Sequence, residues 1–122
     1  MFWKRKSKLD TLEEKGEFLF PPYYKKFYKK CVYAPPSSMT GTHLFNKHPD
    51  LRIEALELLA ENKVENFLQP NDFVFMMHQG YMFWYFKADG LEDPDVYFYV
   101  ETEKRPRKTC PLQEFIENYP EC

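Results

Sequence analysis

Apolar positions in the C-terminal half of this chain come in short, nearly unbroken runs, whereas in the N-terminal half they recur at helical spacing. Phe73-Val74-Phe75-Met76-Met77 is followed by a turn at His78-Gln79-Gly80 and then by Tyr81-Met82-Phe83-Trp84-Tyr85-Phe86. A polar connection from Asp89 to Asp95 leads into a third run, Val96-Tyr97-Phe98-Tyr99-Val100. In the first two runs both alternating sets of positions are apolar, where a strand wetted on one side would alternate with polar residues. The pattern predicts central strands of an antiparallel sheet, partly covered on both sides. Pro111 opens a closing helical segment from Leu112 to Tyr119.

Upstream, Leu9, Leu12, Phe18 and Leu19 predict a short amphipathic turn interrupted at Gly16. Pro21 and Pro22 suit the first turn of a helix, where a missing N–H costs little. Tyr23/Phe27 and Tyr24/Tyr28 then pair at i,i+4, with Lys25, Lys26, Lys29 and Lys30 on the other face. Pro35-Pro36-Ser37-Ser38 ends that helix and opens a loop to about Pro49. Asp50 is placed to cap a third helix, with Leu51, Ala55, Leu58 and Leu59 on its apolar side and Glu54, Glu57 and Glu61 outward. Asn62-Lys63 marks its end, and Phe67-Leu68 reads as a short extended piece. Helices are the available cover for the sheet, so the expected class is α+β: a central, mainly antiparallel sheet flanked by helices.

Size and charge narrow the picture. A chain of 122 residues is one domain, residues 1–122, able to bury a core without metal or disulfides. Residues 1–8 read as a flexible basic lead-in. The net charge of −2 hides a gradient: residues 1–30 carry +5, residues 31–103 carry −8, and residues 104–122 carry +1. Cys31, Cys110 and Cys122 are an odd set with no short pairing pattern, and no signal peptide is recognisable in Met1-Phe2-Trp3 before the basic Lys4-Arg5-Lys6. Free thiols in a reducing cytoplasm are the expectation. The longest apolar runs are far too short to span a bilayer, so no membrane partner is expected.

Catalytic signatures are sparse. His43 and His48 lie five residues apart in a loop, without the i,i+4 spacing of a zinc-binding pair, and His78 sits at a hairpin turn suited to local hydrogen bonding. There is no Gly-x-Ser-x-Gly elbow and no glycine-rich phosphate loop; Cys110 before Pro111 reads as a small buried residue at a helix start. No catalytic residue, metal ligand or cofactor is assigned, and the chain is not expected to be an enzyme. Two features remain. The aromatic–lysine segment Tyr23 to Tyr33 invites a nucleic-acid reading, but its spacing groups the rings away from most of the lysines, which favours an ordinary amphipathic helix. The acidic set Asp89, Glu92, Asp93, Asp95, Glu101 and Glu103 reads either as solubilising charge or as a rim that steers a basic partner protein.

The run from Phe73 to Phe86, then Asp93-Pro94-Asp95-Val96-Tyr97-Phe98-Tyr99 and Leu112-Gln113-Glu114-Phe115-Ile116, resembles the C-terminal half of the SUKH superfamily of bacterial immunity proteins and fungal cell-wall synthesis regulators. Phe20-Pro21-Pro22-Tyr23-Tyr24-Lys25-Lys26-Phe27 is similar to that group's earlier helix. The likeness covers about residues 9–33 and 64–119. Cys31-Val32-Tyr33-Ala34 stands where the group has Asn-Gly-Gly, and Thr109-Cys110-Pro111-Leu112 where Ser-Phe is usual. The resemblance implies an α+β, SUKH-like fold and a binding function: neutralising a cognate toxin domain, often a nuclease, by protein–protein association. The acidic set would then form the partner-binding rim, with Tyr81, Tyr85, Tyr97 and Tyr99 as aromatic anchors wherever they face outward. A nucleic-acid-binding module, or a regulatory scaffold on the same fold, is the alternative.

Overall fold

A computed structural model describes residues 8–33, 39, 42–45 and 50–119. The lead-in up to residue 7, Ser37, Ser38, His48 and Cys122 lie outside the described residues. Helix α1 spans Lys8–Glu14, α2 Pro22–Tyr33, α3 Leu51–Glu61 and α4 Leu112–Asn118. The strands are β1 (Thr42–Leu44), β2 (Asp72–His78), β3 (Met82–Lys87), β4 (Asp95–Val100) and β5 (Arg107–Pro111). They form one antiparallel sheet in the order β1-β2-β3-β4-β5, so the α+β expectation holds.

The unbroken apolar runs became the inner strands because each of their faces is covered. On one face, Tyr24 of α2 meets Phe73, Phe75 and Phe86 at ring-centroid distances of 5.6, 5.9 and 5.2 Å, and Phe115 of α4 meets Phe75 at 5.9 Å. Edge-on geometry at these separations adds to the area that the rings bury. Phe73 pairs with Phe86 across the strands, Phe75 follows Phe73 onto this face by alternation, and a bulge between Val74 and Met76 brings Met76 to the same face opposite Trp84. The other face carries the cross-strand pairs Val74–Tyr85, Met77–Phe83 and Phe83–Tyr99. There Phe67 lies 6.3 Å from Phe83 and 5.8 Å from Tyr99, while α3 packs on β2.

Turns follow from backbone chemistry. Gln79 (φ 47°) and Gly80 (φ 78°) are both left-handed, and Tyr81 N donates to His78 O at 3.2 Å, which makes the mirror-image turn whose twist suits a hairpin. Helix α3 ends at Asn62, with Lys63 left-handed, as expected. Asp50 precedes α3, but its side chain makes no capping bond. Two strands escaped the sequence pattern. Strand β1 is three residues long and lies inside the predicted loop. Strand β5 is Arg-Lys-Thr-Cys-Pro, an edge strand with little apolar signal; such charge and proline on an edge discourage pairing with other chains.

Candidate partner-binding surface

The β3–β4 connection is built onto the N-terminal segment and α4 by backbone bonds. Leu19 N donates to Ala88 O at 2.9 Å and Gly90 N to Leu19 O at 3.3 Å, closing an isolated parallel bridge between Leu19 and Asp89. Gly90 has φ +99°, a conformation that L side chains rarely adopt. Leu112 N donates to Pro94 O at 2.9 Å, and Gln113 N donates to Asp93 Oδ1 at 2.9 Å. Pro111 occupies the N-cap position of α4 but has no side-chain acceptor, so Asp93 satisfies that helix N–H from another part of the chain.

The connection and the N-terminal segment bonded to it hold one apolar side chain each in water. Leu19 is 57% exposed and Leu91 56% exposed, and a Leu19 methyl lies beside Gly90, next in sequence to Leu91. Asp89, Glu92 and Asp93 are exposed around them. Asp89 and Glu92 form no ion pair among the described residues. Asp95 is engaged by Lys108 at 3.4 Å, an exposed pair.

The expected rim is not continuous. Glu101 and Glu103 lie past the far end of β4, and a six-residue strand separates them from Asp95 by roughly 20 Å. There they close turns. Glu101 N donates to Tyr81 O at 2.9 Å, Glu103 N donates to Val100 O at 3.1 Å, and Glu103 Oε1 accepts from Arg107 at 2.6 Å. Spacing along the sequence had placed all six carboxylates near each other, but an extended strand drives its two flanking loops apart.

The aromatic anchors also divide. Tyr99 is 1% exposed and Tyr85 6% exposed, so neither can anchor a partner. The Tyr99 hydroxyl donates to Glu103 O at 2.8 Å, and burial raises its pKa, with the nearby Glu101 and Glu103 charges adding to the rise. Burial, and then the Asp72 charge, push the Tyr85 phenol well up; its ring stacks on Tyr97 at 5.5 Å. Tyr81 and Tyr97 are half-buried. Leu19 and Leu91, with Ile53 on α3, are the most exposed large apolar side chains among the described residues; the sequence pattern places Leu19 among the apolar positions of a short amphipathic turn and does not single out Leu91. Leu91 stands in sequence as a single leucine between Gly90 and Glu92, whereas Leu19, between Phe18 and Phe20, carries no local sign of exposure.

The remaining candidates fall into place. In α2, Tyr24, Phe27 and Tyr28 are buried while Lys26, Lys29 and Lys30 are exposed, and Lys25 pairs with Glu13 at 2.6 Å; the rings are not there to stack bases. His78 packs edge-on against Tyr81 at 5.7 Å and its Nδ1 is buried without a hydrogen-bond partner, which corrects the expected turn bond. Burial pushes the Cys31 thiol up to about 11, against the opposing Lys30 charge, so it stays protonated and unreactive near neutrality. Cys110 is disulfide-bonded, which corrects the expectation of a free thiol at that position. Among the described residues no helix is long and apolar enough to cross a membrane, and no group of His, Cys, Asp or Glu is arranged to hold a metal ion.

A cleft of about 610 Å³ opens beside this end of the sheet, between α1, α3 and the start of β2. Phe18, Phe45, Phe73, Val74 and Leu12 form its apolar walls, and Lys8, Glu17, Arg52 and Asp72 are its charged lining. Arg52 is fixed by two carbonyls: its guanidinium donates to Asp72 O at 2.7 Å and to Gln69 O at 3.2 Å. Asp72, 6% exposed, accepts from Gln69 N at 2.8 Å and lies 4.0 Å from the Lys87 ammonium.

In comparisons with known proteins, no family model, no curated protein and no solved structure matches the chain.

Proposed function

We propose that this chain is an immunity protein that binds a cognate bacterial toxin domain and blocks it by protein–protein association, using the surface around Leu19 and Leu91. The observation that carries the reading is the exposure of Leu91 on a backbone-anchored connection and of Leu19 on the segment bonded to it, with the carboxylates of Asp89, Glu92 and Asp93 around them. A rigid apolar centre with a charged margin is the arrangement in which a few buried contacts supply most of the affinity and the margin sets encounter rate. A nuclease, whose substrate groove must be basic to bind phosphates, fits a surface of this sign. The resemblance of the strand and helix motifs to SUKH immunity proteins supports the same reading, and the antiparallel sheet flanked by helices agrees with it.

A contact of ordinary size would bury on the order of 1,600 Å² in total, so residues around the leucine pair would also be covered. Steering falls to Asp89 and Glu92 more than to Asp93 and Asp95, which are engaged in the α4 cap and in the Lys108 pair. The test is to look for a toxin domain encoded beside this gene, co-express it with this chain, and measure association of the purified pair. Wild type is expected to rescue growth, and the double variant Leu19→Asp, Leu91→Asp to bind at least about 100-fold more weakly while unfolding at the same temperature. Rescue and binding unchanged by both substitutions would remove this surface from the interface; failure of wild type to rescue would remove the function.

A further inference from the structure

The leucine surface leaves the neighbouring cleft unused, and its chemistry is different. At about 610 Å³ it has the size of a small-molecule pocket, and its walls are phenylalanine and aliphatic side chains already fixed by the core. Phe73 is clamped edge-on by Phe18 at 5.5 Å and by Phe45 at 4.8 Å, so the apolar surface is formed before any ligand arrives.

The charged groups decide what such a ligand must carry. Asp72 spends its charge locally: one carboxylate oxygen accepts the Gln69 N–H and the other faces the Lys87 ammonium. Lys8 and Glu17 are exposed, of opposite sign, and kept in water. Arg52 differs. It is half-buried, both bonded arms of its guanidinium rest on neutral carbonyls, and it forms no ion pair among the described residues. The cleft thus holds one oriented cationic group, charge-compensated by no carboxylate, beside an aromatic wall. A planar guanidinium held this way is suited to a carboxylate, with a charge-assisted bond stronger than a neutral one.

We infer that this cleft binds a small carboxylic acid with an apolar, preferably aromatic, body, its carboxylate on Arg52 and its body against Phe18, Phe45 and Phe73. The site is separate from the leucine surface, and neither assignment depends on the other.

Phenylbutyrate is the probe, with phenylbutanol and phenylbutylamine as neutral and cationic counterparts of the same shape. Titration into isotope-labelled protein, followed by amide shifts, is expected to show saturable binding of phenylbutyrate centred on Phe18, Phe45 and Phe73, with the amine bound at least about tenfold more weakly. Arg52→Met is expected to weaken phenylbutyrate at least tenfold. Because that change also strips the Asp72 and Gln69 carbonyls of a donor, Leu12→Trp, which fills the cleft and leaves Arg52 in place, serves as the second variant and is expected to abolish binding. Absence of saturable shifts, equal affinity for acid and amine, or binding unaltered in Leu12→Trp would each overturn the inference. Association with the toxin domain measured on Leu12→Trp is expected to match wild type.

Discussion

At the start of β4, Asp89, Glu92 and Asp93 surround two leucines in water and are tied to segments far away in the chain: Leu19 is bonded to Ala88, and α4 to Asp93 and Pro94. At the end of β4, Glu101 and Glu103 belong to a turn closed largely by neighbours within four residues, through Val100, Tyr99 and Arg107. The residue types are the same and their uses are not. Long-range anchoring produces a stiff platform that can keep apolar groups exposed without collapsing over them. Local closure buries the nearest aromatic, Tyr99, and turns the acids into parts of a hairpin. An acidic count along the sequence reads both as one rim; the hydrogen bonds separate them.

The contrast can be broken most forcefully at Tyr99. Tyr99→Ala removes a fully buried ring from the local end and is expected to cost about 3–5 kcal/mol, read by urea unfolding, with toxin affinity of the remaining folded protein unchanged. A loss below about 1 kcal/mol, or a selective loss of affinity, would put Tyr99 at the interface instead of in the core.

A smaller effect sharpens the other end. Asp93→Ala removes an acceptor from the first turn of α4 and is expected to cost about 1 kcal/mol, whereas Asp93→Asn, which keeps an acceptor oxygen, recovers most of it. Both variants are expected to slow toxin association slightly and equally, since both lose the charge. If Asn fails to recover stability, charge at the helix start is the main contribution and hydrogen bonding the lesser one.

The smallest expected change is at the far turn. Glu103→Gln breaks an exposed pair with Arg107 and is expected to cost less than about 1 kcal/mol in stability. Its association rate at low salt is expected to match wild type, while Glu92→Lys slows association measurably. Equal slowing by the two would reunite the ends into a single electrostatic surface.

Much of the architecture was legible in residue order. The doubly apolar runs could be stable only with cover on both faces, and they became β2 and β3; prolines and i,i+4 rings marked α2, and Asn62-Lys63 marked the end of α3. What escaped was set by pairing, not by pattern. Strands β1 and β5 carry little hydrophobic signal because edge strands take their stability from ladder bonds to a neighbour. Full burial of Tyr85 and Tyr99, and only partial burial of Tyr81 and Tyr97, depended on where Phe67 and the helices lay over a sheet whose two faces look alike in sequence.

By itself the amino-acid order determined that this chain would build an aromatic-cored antiparallel sheet beneath helices, because local periodicity and turn chemistry act over a few residues and leave little choice. Tertiary structure alone decided which leucines stay in water, which acids are free to meet a partner, and that Arg52 faces a phenylalanine-walled cleft. Those outcomes depend on contacts between residues such as Leu19 and Ala88, or Arg52 and Asp72, that no local pattern brings together.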